Sequence, residues 1–345
     1  MFVLFVKCAF DEGQESQHAN LMEIGNEIVK KCKGVPLAVK LLGSLLYSKH
    51  DEHDWLFVKD NDLWKLNQKE GDIFSALQLS YNLMPSSLKQ CFAYFLLYPK
   101  NYEYTTFELV QIWMAHGLLQ SPNENRDLED IDNQYIDELY SRSFLEDYRD
   151  LGYFRYFKIH GLAHDLAFSV ARSEFLIMNF QTQNISNKVR HLSYINNTWH
   201  NEKVLKCLQK SKTIRTIFSP IKGLGPSSDS FVDACVSRFS GLRVLDLSDS
   251  CFEVLPSSIS TMKHLRWLDL SGSCKIKKLP NSICKLQNLQ TLLLSGCEKL
   301  EELPKDIRYM INLRCLDITS KQKSLPGSMN SLRALRLSNC GNLEF

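Results

Sequence analysis

No stretch of the 345 residues approaches the ~18 to 20 apolar positions that a membrane-spanning helix needs. Charge of one sign is missing too: 41 Lys and Arg stand against 39 Asp and Glu, a net charge of +2. Nucleic-acid and anionic-membrane surfaces are normally built from a clustered basic excess, so this balance argues against a dedicated one. The apolar opening, Met1 to Val6, is too short for a signal-peptide core and has no basic segment before it. Eleven cysteines without such a signal are expected to be reduced thiols in an intracellular, cytoplasmic or nuclear, protein. No Cys-x-x-Cys pair occurs, which removes the usual ligand spacing for zinc. No Gly-x-x-x-x-Gly-Lys-Ser/Thr occurs, so no nest of amides and no lysine is offered to nucleotide phosphates. No strand ends in paired acids that could hold magnesium. Ser, His and carboxylate residues are scattered, and no nucleophile stands beside a base and an orienting acid. The expectation is a protein that is not an enzyme and needs no cofactor or metal.

What is present is repetition. The phrases Leu242-Arg243-Val244-Leu245-Asp246-Leu247-Ser248, Leu265-Arg266-Trp267-Leu268-Asp269-Leu270-Ser271, Leu289-Gln290-Thr291-Leu292-Leu293-Leu294-Ser295 and Leu313-Arg314-Cys315-Leu316-Asp317-Ile318-Thr319 start 23, 24 and 24 residues apart. A fifth, Leu332-Arg333-Ala334-Leu335-Arg336-Leu337-Ser338, follows after 19. Leu-Pro recurs with the same period at Pro256, Pro280, Pro304 and Pro326. Several matches at one period mark a leucine-rich repeat. Each unit supplies a short strand, a turn and a return arm, and stacking buries a shared leucine core in a curved solenoid.

Strand alternation points Leu245 and Leu247 inward and Val244, Asp246 and Ser248 outward, with their equivalents in later repeats. The outward set therefore includes Trp267, Asp269, Ser271, Thr291, Leu293, Ser295, Asp317, Thr319 and Arg336. These are expected on an exposed concave face, and Trp267, Asp269, Thr291, Leu293, Asp317 and Arg336 are the candidates for binding a protein partner. Trp267 stands out because binding hot spots favour Trp and Arg, although it could instead cover a neighbouring repeat. Arg243, Arg266, Arg314 and Arg333 form a column at the second position of each strand phrase. A scaffold role, with stems packed and heads wet, is favoured over a ligand-binding ladder. Cys251, Cys274, Cys297 and Cys340 fall three or four residues after the last strand leucine, where this repeat class bonds a small residue to the turn backbone. The repeat containing Pro326 is shortened, so Leu335, Leu337 and Leu343 are expected at a poorly packed edge.

The front of the chain reads as helical. Leu21, Ile24, Ile28 and Cys32 form one amphipathic stripe over residues 15 to 33, which Gly34 ends. Pro36 sits where a first helical turn tolerates proline, opening a helix with Leu37, Leu41, Leu42 and Leu45 inward. Trp55, Leu56 and Leu63 suggest a third helix, and Ile73, Leu77 and Leu79 with Tyr81 a fourth, together a small bundle. From Pro85 the stripe Leu88, Cys91, Phe92, Phe95 and Leu96 continues. A capping box, Thr105-Thr106-Phe107-Glu108, opens a helix whose stripe is Leu109, Ile112 and Trp113 and which Gly117 closes. Ile131, Tyr135 and Leu139 mark another helix. Residues 144 to 147 and 153 to 159 then read as two strands around the Asp150-Leu151-Gly152 turn. Three helices and a hairpin make a winged helix, and Leu162, Leu166 and Val170 resume helical spacing. Its apolar stripe, with Gln111 and His116 and no flanking arginines, is a poor DNA-reading surface. The expected architecture is multidomain, α and then α/β: a helical subdomain over 1–83, a winged helix over 84–172, a linker over 173–188, and a leucine-rich-repeat domain over 189–345 with clear repeats in 242–343.

Gly34-Val35-Pro36-Leu37-Ala38, Cys91-Phe92-Ala93-Tyr94-Phe95-Leu96-Leu97-Tyr98-Pro99-Lys100, Ile112-Trp113-Met114-Ala115-His116-Gly117, and Ile159-His160-Gly161 before Leu162-Ala163-His164-Asp165 resemble, in this order, the motifs of plant NB-ARC/leucine-rich-repeat disease resistance proteins of the coiled-coil branch. The resemblance implies a role in plant defence, with a pathogen effector, a host protein or a full-length receptor as partner. It also implies that intact members bind ADP or ATP, with Pro36 lining an adenine pocket and His160 contacting phosphate. The chain departs from the pattern in two ways. Its opening at Leu4-Phe5-Val6-Lys7-Cys8-Ala9-Phe10 resembles a segment downstream of the nucleotide-binding domain, as in a truncated receptor, and Gly161 stands where the family motif carries an acid. The favoured reading is recognition or restraint of a protein partner without ATP hydrolysis. An ADP-binding switch built on the remaining subdomains and a non-functional truncated product are the alternatives.

Overall fold

The computed structural model describes residues 1–66, 72–119, 128–152, 154–178, 185–194, 213–223, 225–226, 229–322, 324–327 and 329–340. The side chains of Ile73 and Ile131, and Tyr153 and Leu343 altogether, fall outside the described residues. The chain forms two compact units, one of residues 1–95, 100–110 and 118–170, the other of residues 96–99, 111–117 and 171–345.

The first unit opens with α1 (Phe2–Ala9), α2 (Ala19–Lys31), α3 (Pro36–Leu46), α4 (Glu52–Lys59), α5 (Leu63–Leu66) and α6 (Asp72–Asn82). The stripe Leu21, Ile24, Ile28 and Cys32 is buried, as its spacing predicts. Gly34 leaves α2 with φ +80°, the left-handed conformation that glycine adopts without a Cβ penalty. Helix α1 has no sequence counterpart in the helical reading, because apart from Lys7 its residues are apolar and leave no clear polar face. Its seat explains them: Phe5 packs edge-on against Trp55 with ring centroids 5.7 Å apart. Two glycines admit this helix. A Cβ on Gly43 would lie 2.7 Å from Cys8 Cβ, and one on Gly25 2.7 Å from the Phe5 ring.

Helices α7 (Ser86–Ala93), α8 (Thr106–His116) and α9 (Leu128–Ser141) follow, then β2 (Leu145–Asp150) and β3 (Arg155–Ile159) after β1 (Glu103–Thr105). The wing is a three-stranded antiparallel sheet in the order β1-β3-β2. Strand β1 was not expected, since its last residue, Thr105, also caps α8. The Glu108 N–H donates to Thr105 Oγ1 at 3.4 Å. At the hairpin turn the Gly152 N–H donates to Asp150 Oδ1 at 2.8 Å. Helix α10 (Gly161–Ala171) closes the unit. The expected boundary at 83/84 does not separate compact bodies, because the helical bundle and the winged helix, apart from residues 96–99 and 111–117, share this one unit.

The second unit is built on an eight-stranded sheet in the order β11-β10-β9-β8-β7-β6-β5-β4, parallel throughout. Its strands are β4 (Phe175–Met178), β5 (His191–Tyr194), β6 (Thr216–Phe218), β7 (Val244–Asp246), β8 (Trp267–Asp269), β9 (Thr291–Leu294), β10 (Cys315–Ile318) and β11 (Ala334–Leu337). The stretch 173–188, expected to be a linker, holds β4, so the solenoid starts earlier than the recognisable repeats. Leu192, Ile217, Leu245, Leu268, Leu292 and Leu316 stack as one buried inner column. The return arms at Pro256, Pro280 and Pro304 are short 3-10 helices entered through the repeated proline. At the far edge Leu335 is 40% exposed and Leu337 half-buried, as the shortened repeat predicts.

Candidate functional site

Register fixes two outward columns on the strand face of the second unit. The first runs Phe175, His191, Thr216, Val244, Trp267, Thr291, Cys315 and Ala334, and the second Ile177, Ser193, Phe218, Asp246, Asp269, Leu293, Asp317 and Arg336. Most of this face is not exposed. Trp267, Asp269, Thr291 and Leu293 are all buried, against expectation. Two short segments of the same unit, 96–99 and 111–117, supply the cover. Thr291 Oγ1 donates to Gln111 Oε1 at 2.5 Å, the Ser193 hydroxyl donates to the Leu97 carbonyl, and Tyr98 meets Phe218 edge-on with centroids 5.0 Å apart. Trp267 lies beyond, its ring 6.1 Å from that of Phe218. Its indole Nε1 has no hydrogen-bond partner among the described residues, so the side chain is held by packing alone. Asp317 and Arg336, at the β10–β11 end, remain only half-buried.

A polar knot within the cover escaped the sequence reading. His116 Nε2 and His191 Nδ1 both lie on Thr216 Oγ1, at 2.8 and 2.9 Å. A hydroxyl has one proton, so it donates to one imidazole and accepts from the other. Burial, reinforced by His191 and by Arg243, Arg215 and Arg266, holds His116 well below the ordinary histidine range. Burial and the neighbouring Arg215, Arg190 and Arg243 lower His191 to about 3. Both rings are therefore neutral at neutral pH. No periodic signal marks this knot, since its members lie 25 and 100 residues apart.

The arginine column is longer than the sequence suggests. Backbone bonds link Arg190, Arg215, Arg243, Arg266, Gln290, Arg314 and Arg333 rung by rung. Arg243 Nη1 donates to the His116 carbonyl at 2.9 Å, and Arg266 Nη1 sits 3.5 Å from where a Gly117 Cβ would be. Guanidinium groups therefore gather at the carbonyl end of α8, where the helix dipole favours cations. This supports the scaffold reading of the column.

Asp246 and Asp269 are buried side by side, and Lys222 bridges them at 3.8 and 3.0 Å. Each carboxylate also caps its own turn, Asp246 Oδ1 accepting from the Ser248 N–H and Asp269 Oδ1 from the Ser271 N–H, at 2.9 and 2.7 Å. Burial raises Asp246, opposed by Lys222 and assisted by the Asp269 charge. Burial likewise raises Asp317, opposed by Arg336. The residues bonded to the turn backbone are Ser250, Ser273, Cys297 and Cys340, each three positions after the strand leucine, whereas Cys251 and Cys274, one position later, are exposed. The expectation for those two cysteines was off by one residue.

The nucleotide-contact candidates lie in the first unit, and helix geometry accounts for both. Pro36 is exposed at the first position of α3. His160 is half-buried, and its Nδ1 accepts the Leu162 N–H at 3.2 Å, capping α10. A side chain at Gly161 would meet Lys100 Cε at 3.0 Å, and that lysine is paired with Asp165 at 2.7 Å. Among the described residues no group of three or more His, Cys, Asp or Glu side chains could hold a metal ion. Nor, among them, is any helix long and apolar enough to cross a membrane.

Residues 97–167 match the disease resistance protein winged helix domain, and residues 225–344 match a leucine-rich repeat region. The disease resistance protein RGA2 of Solanum bulbocastanum is 39% identical over 265 residues, covering 76% of this chain and 24% of that protein. RGA1 of the same species is 38% identical over 274 residues, covering 79% of this chain and 25% of that protein. Disease resistance protein RPM1 of Arabidopsis thaliana is 31% identical over 271 residues, covering 76% of this chain and 29% of that protein. The chain thus spans about a quarter of the length of the curated relatives it matches. With a winged helix followed by leucine-rich repeats, and relatives of the same description aligned across three quarters of its residues, the chain belongs to the plant disease resistance proteins.

Proposed function

We propose that this chain acts in plant defence as an intracellular immune-receptor-like protein, binding a protein partner at the β10–β11 end of its strand face. These residues do so without hydrolysing ATP. The observation that carries the reading is the contrast in burial along the outward columns. Trp267, Asp269, Thr291 and Leu293 are buried by the chain's own segments, whereas Asp317 and Arg336 keep solvent contact. Opposite charges on adjacent rungs of one outward column, both in contact with solvent, suit the polar rim of a protein interface. The absence of a phosphate loop from the 345 residues, and the use of His160 as a helix cap, support a binding role over nucleotide chemistry.

The test uses the full chain as bait for partners in extracts of plant cells. Asp317→Arg with Arg336→Glu should reduce recovery of a captured protein by about tenfold or more, equivalent to ~1.4 kcal/mol or more. Unchanged recovery, with the fold intact by circular dichroism, would remove the β10–β11 end from the interface.

A further inference from the structure

The two cysteines displaced from the turn-bonding position share another property. Cys251 and Cys274 each stand four residues after the last leucine of their strand phrases, on consecutive rungs, and both thiols are free and exposed. We propose that Cys251 and Cys274 are a reversible disulfide pair, closed by a peroxide and reopened by a dithiol, that staples two neighbouring repeats.

The placement rests on register carried past the strands. Val244, Leu245 and Asp246 pair with Trp267, Leu268 and Asp269. Beyond them the Asp249 N–H donates to the Ser271 carbonyl at 2.7 Å, so the rungs stay aligned into the turn. The residues just before the two cysteines, Ser250 and Ser273, both donate to the Leu247 carbonyl, at 2.5 and 3.3 Å. Equivalent positions on adjacent parallel strands lie about 4.8 Å apart. Disulfide-linked Cα atoms lie about 4.4 to 6.8 Å apart, so the backbone separation fits. Side chains in register run parallel, which puts the Cβ atoms about 1 Å farther apart than the ~3.8 Å mean of a disulfide. Neither cysteine lies in a strand, so an exposed turn rather than a ladder has to move by that amount.

The pair has no equal competitor among its neighbours. On the next rung the equivalent position is Glu298, one residue after Cys297. Cys297 is buried, its thiol donates to the Leu270 carbonyl at 3.2 Å, and burial pushes it up to about 12. It is therefore a poor source of the thiolate that such exchange requires. In the forward step one thiolate attacks a peroxide oxygen, breaking the O–O bond to give a sulfenic acid and hydroxide, which is protonated to water. The second thiolate attacks the sulfenic sulfur, forming the S–S bond and releasing hydroxide, which is protonated to water. Two thiols lose two electrons in total and the peroxide gains them.

The full chain would be treated with micromolar hydrogen peroxide, its remaining thiols alkylated, and a trypsin digest read by mass spectrometry without reduction. Cleavage after Arg243, Lys263, Arg266 and Lys275 places the two cysteines on separate peptides, residues 244–263 and 267–275. The expected result is a linked 244–263/267–275 species that disappears with dithiothreitol and does not form in Cys251→Ser. Both positions are exposed, so this serine variant is expected to fold like the parent. Oxidation to sulfinic acid at each site without linkage, a Cys274–Cys297 link, or a covalent dimer between chains in place of the internal link would each overturn the proposal.

Discussion

Replacing Trp267 with alanine separates a packing role from a partner-binding role. The side chain is fully buried, packed at a tilt beyond Phe218 and the cover that includes Tyr98, so its removal leaves a cavity inside the second unit. Truncations of this kind cost about 3 to 5 kcal/mol. The indole N–H makes no hydrogen bond among the described residues, so none is lost, and relief of an unsatisfied donor places the expected value near ~3 kcal/mol. At about 2 to 4 °C per kcal/mol for a domain of this size, the melting temperature should fall by roughly 6 to 12 °C. Trp267→Phe keeps most of the ring and removes the unpaired N–H, so its loss should be about 1 kcal/mol, within the range for size-conserving swaps. The assay is thermal unfolding followed by circular dichroism, with urea unfolding to check that the slope is unchanged. A Trp267→Ala protein that melts within 2 °C of the parent would refute the reasoning. It would mean that the cover is not closed in solution and would return Trp267 to the partner-binding surface.

Stability should fall on acidification from pH 7 to 5.5. His116 and His191 are held neutral in the fold, so protons bind the unfolded chain first as pH drops below its ordinary histidine value near 6.5. Two such groups cost about 3 kcal/mol by pH 5.5, and a flat urea midpoint over that range would contradict the knot. Raised carboxyls such as Asp246 act in the opposite direction, gaining stability as pH falls through their own lower range. Gly43→Ala should destabilise the first unit by about 1 to 3 kcal/mol by overpacking against Cys8, and an unchanged melt would show that α1 can shift. Amide exchange should be slowest across Leu245 to Leu294 and fastest after Pro326, because β11 pairs on one side and keeps Leu335 exposed. Uniform protection to the last described residues would show an edge closed in some other way.

Leucine spacing made the five later rungs legible, because each inward residue is repeated at a fixed interval and burial follows directly from alternation. The first three strands were harder. Phe175–Met178, His191–Tyr194 and Thr216–Phe218 keep the inward apolar residue but lose the flanking leucines that announce a repeat. The helices were legible where one face is polar, as in α2, and not in α1, where apart from Lys7 the residues are apolar and leave no clear polar face. The outward columns were identified correctly as columns and misjudged as exposed. Alternation says which face a side chain takes, and it is silent about what covers that face. Here Gln111, 180 residues from Thr291, supplies part of the cover, and no local pattern encodes that distance. The candidates that keep solvent contact, Asp317 and Arg336, sit beyond its reach.

Titration of the purified chain with ADP, and with ATP and magnesium, by isothermal calorimetry tests the central claim most directly. A binding module without a phosphate loop should show no saturable heat in the micromolar range and no release of phosphate from ATP. Micromolar ADP affinity, abolished by His160→Ala, would contradict the account and make these subdomains a nucleotide-dependent switch.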